Sequence, residues 1–208
     1  MKAILQSILH TILWSVIAGI IYPLVITGIA QVAFHGQAEG SLIERDGKII
    51  GSALLAQQFT GSNYFWPRPS ACTYGTGGTG INASSGSNLG PTSGALQTNV
   101  VNNTAAFISG NNLPTNIPVP ADMIYASASG LDPHISPEAA RLQAARVAAA
   151  RGLSADKVKG LVEQFVEPPQ WGFLGQDRVN VLLLNVALDK LAAESAKKAQ
   201  APVSLSHT

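Results

Sequence analysis

The chain has 208 residues, of which 46% are apolar, and its formal net charge is +1. This length allows one domain of ordinary size with a membrane anchor and leaves little room for a second domain. The near-neutral charge argues against nucleic acid as a partner, because nucleic acid needs a basic footprint, and the single cysteine excludes an internal disulfide.

The first part of the chain is long and apolar enough to cross a bilayer. No Asp, Glu, Lys or Arg occurs from Ala3 to Phe34, and a bilayer core of about 30 Å needs roughly 20 apolar residues. We predict a short N-terminus over 1–10 and a transmembrane helix over 11–34. A cleaved signal peptide is the alternative, with a weak site at Gly36-Gln37-Ala38, but its apolar region is typically only about 7–15 residues long.

Small residues and a proline inside this helix predict that it packs against other helices. Proline is tolerated in a membrane helix where neighbouring groups satisfy the freed carbonyl. The candidate packing positions are Ser15, Gly19, Pro23 and Gly28. Lys2 and the amino terminus are the only positive groups before the span, so the positive-inside rule keeps the N-terminus in the cytoplasm and places the domain outside.

Residues 35–198 predict a single α+β domain, followed by a disordered tail over 199–208. Asp46-Gly47 indicates a two-residue hairpin turn within Ser41–Phe59, whose second strand would continue through Leu55. Residues 69–121 contain no charge and are rich in Gly, Ser, Thr and Asn. We interpret this segment as a long ordered surface loop around one helix, Leu96–Ile108, because it also carries apolar residues such as Leu89, Val100 and Phe107. Loops of such length are usually functional or disordered.

The pattern is clearer in the C-terminal third. Ser136 caps a helix that ends at Gly152, and Ser154 caps a second helix with one buried face that continues to the proline pair at Pro168. Residues 178–184 read as a buried strand, and Asn185 as the cap of a last helix to about residue 198. Two early strands followed by helices, a strand and a helix predict an α+β fold.

Three patterns suggest chemistry, and each has a simpler explanation. Asp132, His134 and Ser136 invite a hydrolase interpretation, but a catalytic triad assembles from separate elements, and Ser136 already serves as a cap. The run Gly75–Gly80 lacks the strand, helix and lysine of a phosphate cradle. The four histidines are far apart in sequence, so no metal site is predicted.

Arg68 differs from these because it is a single charge on a rigid turn of aromatic residues and prolines, just before the uncharged segment. Two interpretations remain open: the guanidinium binds a carboxylate of the same domain, or it contacts a partner chain.

Several segments together resemble one protein family. They are Gly51–Gln57 with Phe59, Tyr64-Phe65, Arg68–Ala71, Ser85–Thr92, Pro120–Asp122, Ala126-Ser127, Ser129–Pro137, Arg146–Ala148, Ala150–Gly152, Gly172–Gly175, Arg178–Leu182 and Leu184-Asn185. Taken together they are similar to the KdpC family, the C subunit of the Kdp potassium-transporting P-type ATPase. The stretches Ser129–Pro137 and Ser87–Thr92 are the most specific, and Thr73–Gly80 departs from the usual pattern.

The resemblance implies a non-catalytic accessory subunit in a bacterial inner membrane, with one span, a cytoplasmic N-terminus and a periplasmic domain. It implies three partners: a channel-like A subunit, a P-type ATPase B subunit and a small F subunit. ATP and potassium would be handled by the complex, with no cofactor bound by this chain and its nucleotide-binding residues unknown. The family has also been proposed to act as a catalytic chaperone that raises the affinity of the B subunit for ATP.

Ten residues in or beside these motifs are candidates for partner contact or for structural roles. They are Arg68, Ser70, Ser87, Asn88, Gly90, Pro91, Asp132, His134, Asn180 and Asn185. Two alternative functions remain open, a membrane-anchored periplasmic hydrolase and a nucleotide-handling domain with the opposite topology.

Overall fold

The computed structural model of the protein describes residues 1–72 and 84–200. It divides into two compact units, the first spanning Met1–Ser52 and the second beginning at Ala53. The glycine-rich run at 75–80 and most of the predicted tail lie outside the described residues.

The first unit begins with one apolar helix long enough to span a membrane, Lys2–Ala33. It consists of α1 (Lys2–Val16), a π-helical turn (Ile17–Ile21) and α2 (Tyr22–Ala33). Pro23 lies in the first turn of α2 and has no N–H to donate, and the π-helical turn ends two residues before it. The predicted N-terminal anchor helix is confirmed.

A short helix and a β-hairpin complete this unit: α3 (His35–Ala38), β1 (Leu42–Arg45) and β2 (Lys48–Ser52), the strands being antiparallel. Asp46 and Gly47 have φ values of 51° and 73°, which confirms the predicted turn.

The prediction that the second strand continues through Leu55 is wrong, because it ends at Ser52. The backbone groups that follow are bonded within the second unit instead. The Ala53 carbonyl accepts from Asn180 Nδ2 at 2.8 Å, and the Ala56 N–H donates to the Leu131 carbonyl.

The uncharged segment contains α4 (Gly94–Gly110) and, at its end, a 3₁₀ turn (Ala121–Met123). Ser93 caps α4 by accepting the Leu96 N–H, which confirms the helix predicted here. Phe107 anchors α4 to the core, whereas most of its other side chains are exposed or only partly buried.

Two helices follow a two-residue strand, β3 (His134–Ile135). They are α5 (Pro137–Arg151) and α6 (Ala155–Gln164), capped by Ser136 and Ser154 as predicted, and Gly152 ends α5 with a φ of 64°. The prediction that α6 continues to Pro168 is wrong, because the chain leaves the helix after Gln164 and pairs as β4 (Val166–Glu167).

The last strand is β5 (Arg178–Asn180), and the last helix is α7 (Val181–Gln200). The three short strands form an antiparallel sheet in the order β3-β5-β4. The predicted strand over 178–184 is therefore too long, since α7 begins at Val181. Asn180 caps this helix by accepting the Leu183 N–H at 3.1 Å, so the prediction that Asn185 is the cap is also wrong.

The core lies between α5, α6, α7 and this small sheet. Four buried alanines lie on α5, Ala139, Ala140, Ala144 and Ala148, and their small side chains let the neighbouring elements approach closely. The same buried cluster also includes Phe65, Ile135, Val158, Val162, Val179, Leu184 and Leu188. This mixed fold with one N-terminal apolar helix agrees with the predicted anchored α+β architecture.

Candidate functional site

A segment without helix or strand, Gly61–Ser70, crosses the second unit and carries the aromatic residues and Arg68. We call this segment the strap. Phe65 at its centre is fully buried. Backbone groups in such a place must find hydrogen-bond partners or cost folding free energy, and side chains of α5 and α7 supply them.

Two amides bind the strap as a neighbouring strand would. Asn185 accepts the Phe65 N–H at 2.8 Å and donates to the Phe65 carbonyl at 3.0 Å. Gln143 accepts the Trp66 N–H at 2.7 Å and donates to the Trp66 carbonyl at 3.3 Å. Both amides are almost completely buried, so they fix consecutive residues of the strap in one position.

Arg146 holds the first half of the strap. Its Nη1 donates to the carbonyls of Ser62 at 2.6 Å and Tyr64 at 2.9 Å, and its Nε donates to Asn111 at 2.8 Å. The guanidinium carbon lies 3.9 Å from the centroid of the Trp66 ring, within the range of a cation–π contact. Burial lowers the pKa of Arg146 to about 10, and the guanidinium remains charged at neutral pH.

Arg151, one turn further along α5, binds the same segment. It pairs with Asp189 of α7 at 2.7 Å, donates to the Asn63 carbonyl at 2.6 Å and lies over the Tyr64 ring. Both members of this pair are largely buried. The strap, α5 and α7 are therefore joined by one continuous set of polar contacts.

At the other end of the strap, Arg68 binds an internal carboxylate. Its Nη1 lies 2.6 Å from Asp132 Oδ2, so the guanidinium binds a carboxylate of the same domain, as one of the two interpretations predicts. Asp132 also accepts the His134 N–H at 3.0 Å, and its Oδ1 lies 3.4 Å from His134 Nδ1. Burial raises the pKa of Asp132, but the hydrogen bonds from His134 and Arg68 outweigh it and lower the pKa to about 2.

These three residues line an open cleft of about 590 Å³. Its other polar residues include Asp122, Glu138, Asp177 and Arg178, so charges of both signs face the cleft. Four carboxylates against two guanidiniums give this lining an excess of negative charge. Within the described residues, no group of three or more His, Cys, Asp or Glu side chains is placed to hold a metal ion.

The hydrolase interpretation is not favoured by the geometry of this segment. The Ser136 hydroxyl donates to Asp122 Oδ1 at 3.0 Å and accepts the Ala139 N–H at 3.1 Å. In the part of the chain that the structure describes, no hydrogen bond joins Ser136 to His134. A serine nucleophile needs such a bond to its base, whereas this serine is a helix cap.

Most of the chain also matches one known protein family. The family model described as "KdpC: K+-transporting ATPase, c chain" matches residues 4–190. The chain belongs to the KdpC family. Among its relatives, the potassium-transporting ATPase KdpC subunit of Methylococcus capsulatus is 50% identical over 186 residues, which cover 89% of this chain and 96% of that protein.

Two further relatives in the KdpC family carry the same name. The protein of Geobacter metallireducens is 50% identical over 193 residues, covering 92% of this chain and all of its own length. The protein of Rhodospirillum rubrum is 54% identical over 179 residues, covering 85% of this chain and 89% of its own length. The family-model match, over residues 4–190, extends over both the anchor and the domain.

The structure places the other candidate residues of this KdpC-family chain in separate roles. Ser70 donates to the Gly130 carbonyl at 2.8 Å and so ties the strap to the segment before β3. Asn180 and Asn185 bind the backbone, as described above. The roles of all these residues in partner contact stay a prediction.

The second group of candidates lies on the surface ahead of α4. Ser87, Asn88, Gly90 and Pro91 are exposed, and Asn88 has a φ of 53°. The Gly90 carbonyl accepts the Ser93 N–H and starts the turn into α4. Ser87 and Ser70 line one cleft of about 210 Å³, but this group does not meet the Arg68 cluster.

Sequence reasoning missed the residues that hold the strap. Gln143, Arg146, Arg151 and Asn111 were not among the candidates. The sequence contains a signal for two of them, because Gln143 and Arg146 fall on the same helix face as the buried alanines of α5. Polar residues on a buried face require partners, and the KdpC-family segments Arg146–Ala148 and Ala150–Gly152 contain Arg146 and Arg151.

Proposed function

We propose that this chain is a non-catalytic accessory subunit of an ATP-driven potassium transporter, and that it assembles and stabilises three other subunits. Those partners are a channel-like A subunit, a P-type ATPase B subunit and a small F subunit. The observation that carries the proposal is membership of the KdpC family along nearly the whole chain, residues 4–190. The relatives are named as KdpC subunits of potassium-transporting ATPases.

The arrangement of the polar groups supports a non-catalytic role. The side chains that could perform chemistry are engaged in holding the fold: Ser136 caps α5, Asp132 pairs with Arg68, and Arg146 binds backbone carbonyls. These polar and charged groups therefore stabilise the fold through contacts within the domain. ATP and potassium are then handled by the other subunits, and this chain binds no cofactor of its own.

We further propose a cytoplasmic N-terminus and a periplasmic domain in the bacterial inner membrane. Lys2 comes directly before the uncharged stretch that starts at Ala3, and the domain that follows is nearly neutral. In this orientation the domain has no access to cytoplasmic ATP. An effect on the ATP affinity of the B subunit, as proposed for the family, would then pass through subunit contacts and the anchor helix.

The anchor offers the means for such contacts. Gly19 and Gly28 have open space where a side chain would be, and Ser15 and Pro23 lie on the same apolar helix. Small residues allow close approach of a second helix within a bilayer. We propose that these four positions face a helix of a partner subunit.

Gene deletion in the native host tests the function. Cells without the chain should fail to grow at very low potassium, and the wild-type gene should restore growth. The His134→Ala variant should restore growth as well when its protein level matches the wild type. Unchanged growth of the deletion strain would refute the accessory role, whereas loss of rescue by this variant with the complex intact would favour the hydrolase.

Topology is tested separately with a protease-sensitive tag after Lys198. In cells stripped of the outer membrane, external protease should cleave the tag without lysis. A control tag before Ala3 should be cleaved only after lysis. The reverse pattern would place the domain in the cytoplasm and make direct action on the ATP-binding subunit the leading hypothesis.

A further inference from the structure

The turn between β4 and β5 exposes three large apolar side chains. We call residues 170–175 the hairpin tip. The exposed fractions are 78% for Trp171, 73% for Phe173 and 45% for Leu174. A contiguous apolar group of this size on a surface indicates contact with a membrane or another protein.

The backbone holds this group in place. The Gln170 N–H donates to the Leu174 carbonyl at 3.0 Å, and the Leu174 N–H donates back at 2.9 Å. Trp171 and Gly172 have φ values of 56° and 81°, and a bulky residue rarely adopts such a φ. The two aromatic rings lie 6.5 Å apart. The fold thus presents one preformed apolar patch.

Charged residues occur at the base of this hairpin but not at its tip. No charged residue occurs from Pro168 to Gln176. Charges begin at the base, where Arg178 pairs with Glu167 at 3.1 Å and Asp177 is exposed. In a hairpin with an apolar tip and a charged base, the tip can be buried among lipids while the charged base stays in water.

Three observations favour lipid over a protein partner. The tip is a projecting turn, so it needs no matching groove in a fluid bilayer. In the part of the chain described, the indole N–H of Trp171 makes no hydrogen bond, and indole side chains favour the membrane–water interface. The same chain carries the apolar helix Lys2–Ala33, which keeps the domain close to a lipid surface and strengthens a weak contact.

We infer that the hairpin tip inserts into the bilayer that the chain's own anchor crosses. The site consists of Trp171, Phe173 and Leu174, and its ligand is the interfacial layer of the bilayer, where headgroups meet acyl chains. The domain then has two attachments to the membrane, one helical and one through this turn. The inference depends on the anchor and holds whether or not the chain functions in potassium transport.

Quenching by brominated lipid tests this in the full chain reconstituted in nanodiscs of phosphatidylethanolamine and phosphatidylglycerol. An environment-sensitive fluorophore is attached at Phe173→Cys in a Cys72→Ala background. The matched control is Val101→Cys, because Val101 is an apolar residue of α4 that is 61% exposed. Circular dichroism first establishes that both labelled chains are folded.

We expect brominated lipid to reduce the emission at position 173 at least twofold, with little change at position 101. Adding Trp171→Ser and Leu174→Ser should bring the quenching at 173 down to the control value. Equal quenching at 173 and 101 would overturn the inference. So would a probe at 173 that becomes shielded only after partner subunits are added, since that result assigns the tip to a protein surface.

Discussion

The side-chain amide of Asn185 hydrogen-bonds both backbone groups of Phe65, at 2.8 and 3.0 Å. It thereby does for the strap what a neighbouring β-strand does in a sheet. Because both residues are buried, water cannot replace this amide when it is removed.

Asn185→Ala should destabilise the domain by about 2–4 kcal/mol, since an unsatisfied buried backbone group costs about 1–3 kcal/mol and two are left here. Urea unfolding of the full chain, followed by tryptophan fluorescence, measures this loss. The control is Asn102→Ala on the exposed side of α4, which should leave the midpoint nearly unchanged. Equal midpoints for the two variants would contradict the role of Asn185.

Arg146→Lys should also destabilise the domain, by about 2–3 kcal/mol, although it keeps the positive charge. A lysine cannot reach two carbonyls and Asn111 together or stack its plane on Trp66, and a buried ammonium with fewer partners is costly. Thermal unfolding of the full chain tests this. Arg141→Lys is the matched control on the same helix, because its pair with Glu163 is exposed and should contribute little.

Local signals predicted part of this fold well. Ser136, Gly152 and Ser154 determine their helix ends through their own side chains or backbone, and Asp46-Gly47 determines its turn. Such devices act within a few residues, so a single sequence shows them. The apolar anchor can be predicted for the same reason, since the length of its uncharged apolar run is enough to indicate a membrane-spanning helix.

The parts of the fold that were predicted wrongly or missed depend on tertiary contacts. The run at 181–184 is apolar and β-branched at its start, which suits a buried strand as well as a buried helix. The run is helical because Asn180 caps a helix that begins directly after it. Asn185 then lies inside this helix, and its side chain binds Phe65. Arg68 and Asp132 are 64 residues apart, and no local pattern connects them. The strap's contacts are therefore invisible until the helices are placed.

Arg68 and Asp132 should show a coupling of about 1–2 kcal/mol in a double-mutant cycle of Arg68→Ala and Asp132→Asn. The expected value exceeds that of an exposed pair because the side chains are only 24% and 28% exposed. Urea midpoints of the four proteins provide the cycle. Additive effects of the two substitutions would show that the contact contributes nothing to stability.

The same carboxylate should make the domain sensitive to acid. The pKa of Asp132 falls from its ordinary value of 3.8 to about 2 in the folded protein. Its stabilising contribution is therefore complete above about pH 4 and is lost as the pH falls towards 2, with a total of at most about 2 kcal/mol. Unfolding midpoints between pH 5 and 2 should fall less steeply for Asp132→Asn than for the wild type, and parallel curves would contradict this.

Ser136→Ala should cost about 1 kcal/mol, the usual value of a lost helix cap, and should leave potassium-dependent growth intact. Ser136→Asp should recover part of the stability, because aspartate also caps helices, although it faces Asp122. Growth at very low potassium and thermal unfolding are measured on the same strains and proteins. Loss of growth with unchanged stability would reopen the catalytic interpretation of this residue.

The strap has a consequence for the order in which the protein is built. Its partners lie much later in the chain, up to 125 residues after the residue that they bind. Contacts over such separations form late, since the chain between them must first be ordered. During synthesis the N-terminal part of the chain is made first. Phe65 and Trp66 therefore stay exposed until α7 has also been made. Maturation of the domain is completed by its last helix, and a truncation before Asn185 leaves an aromatic segment open to proteases and aggregation.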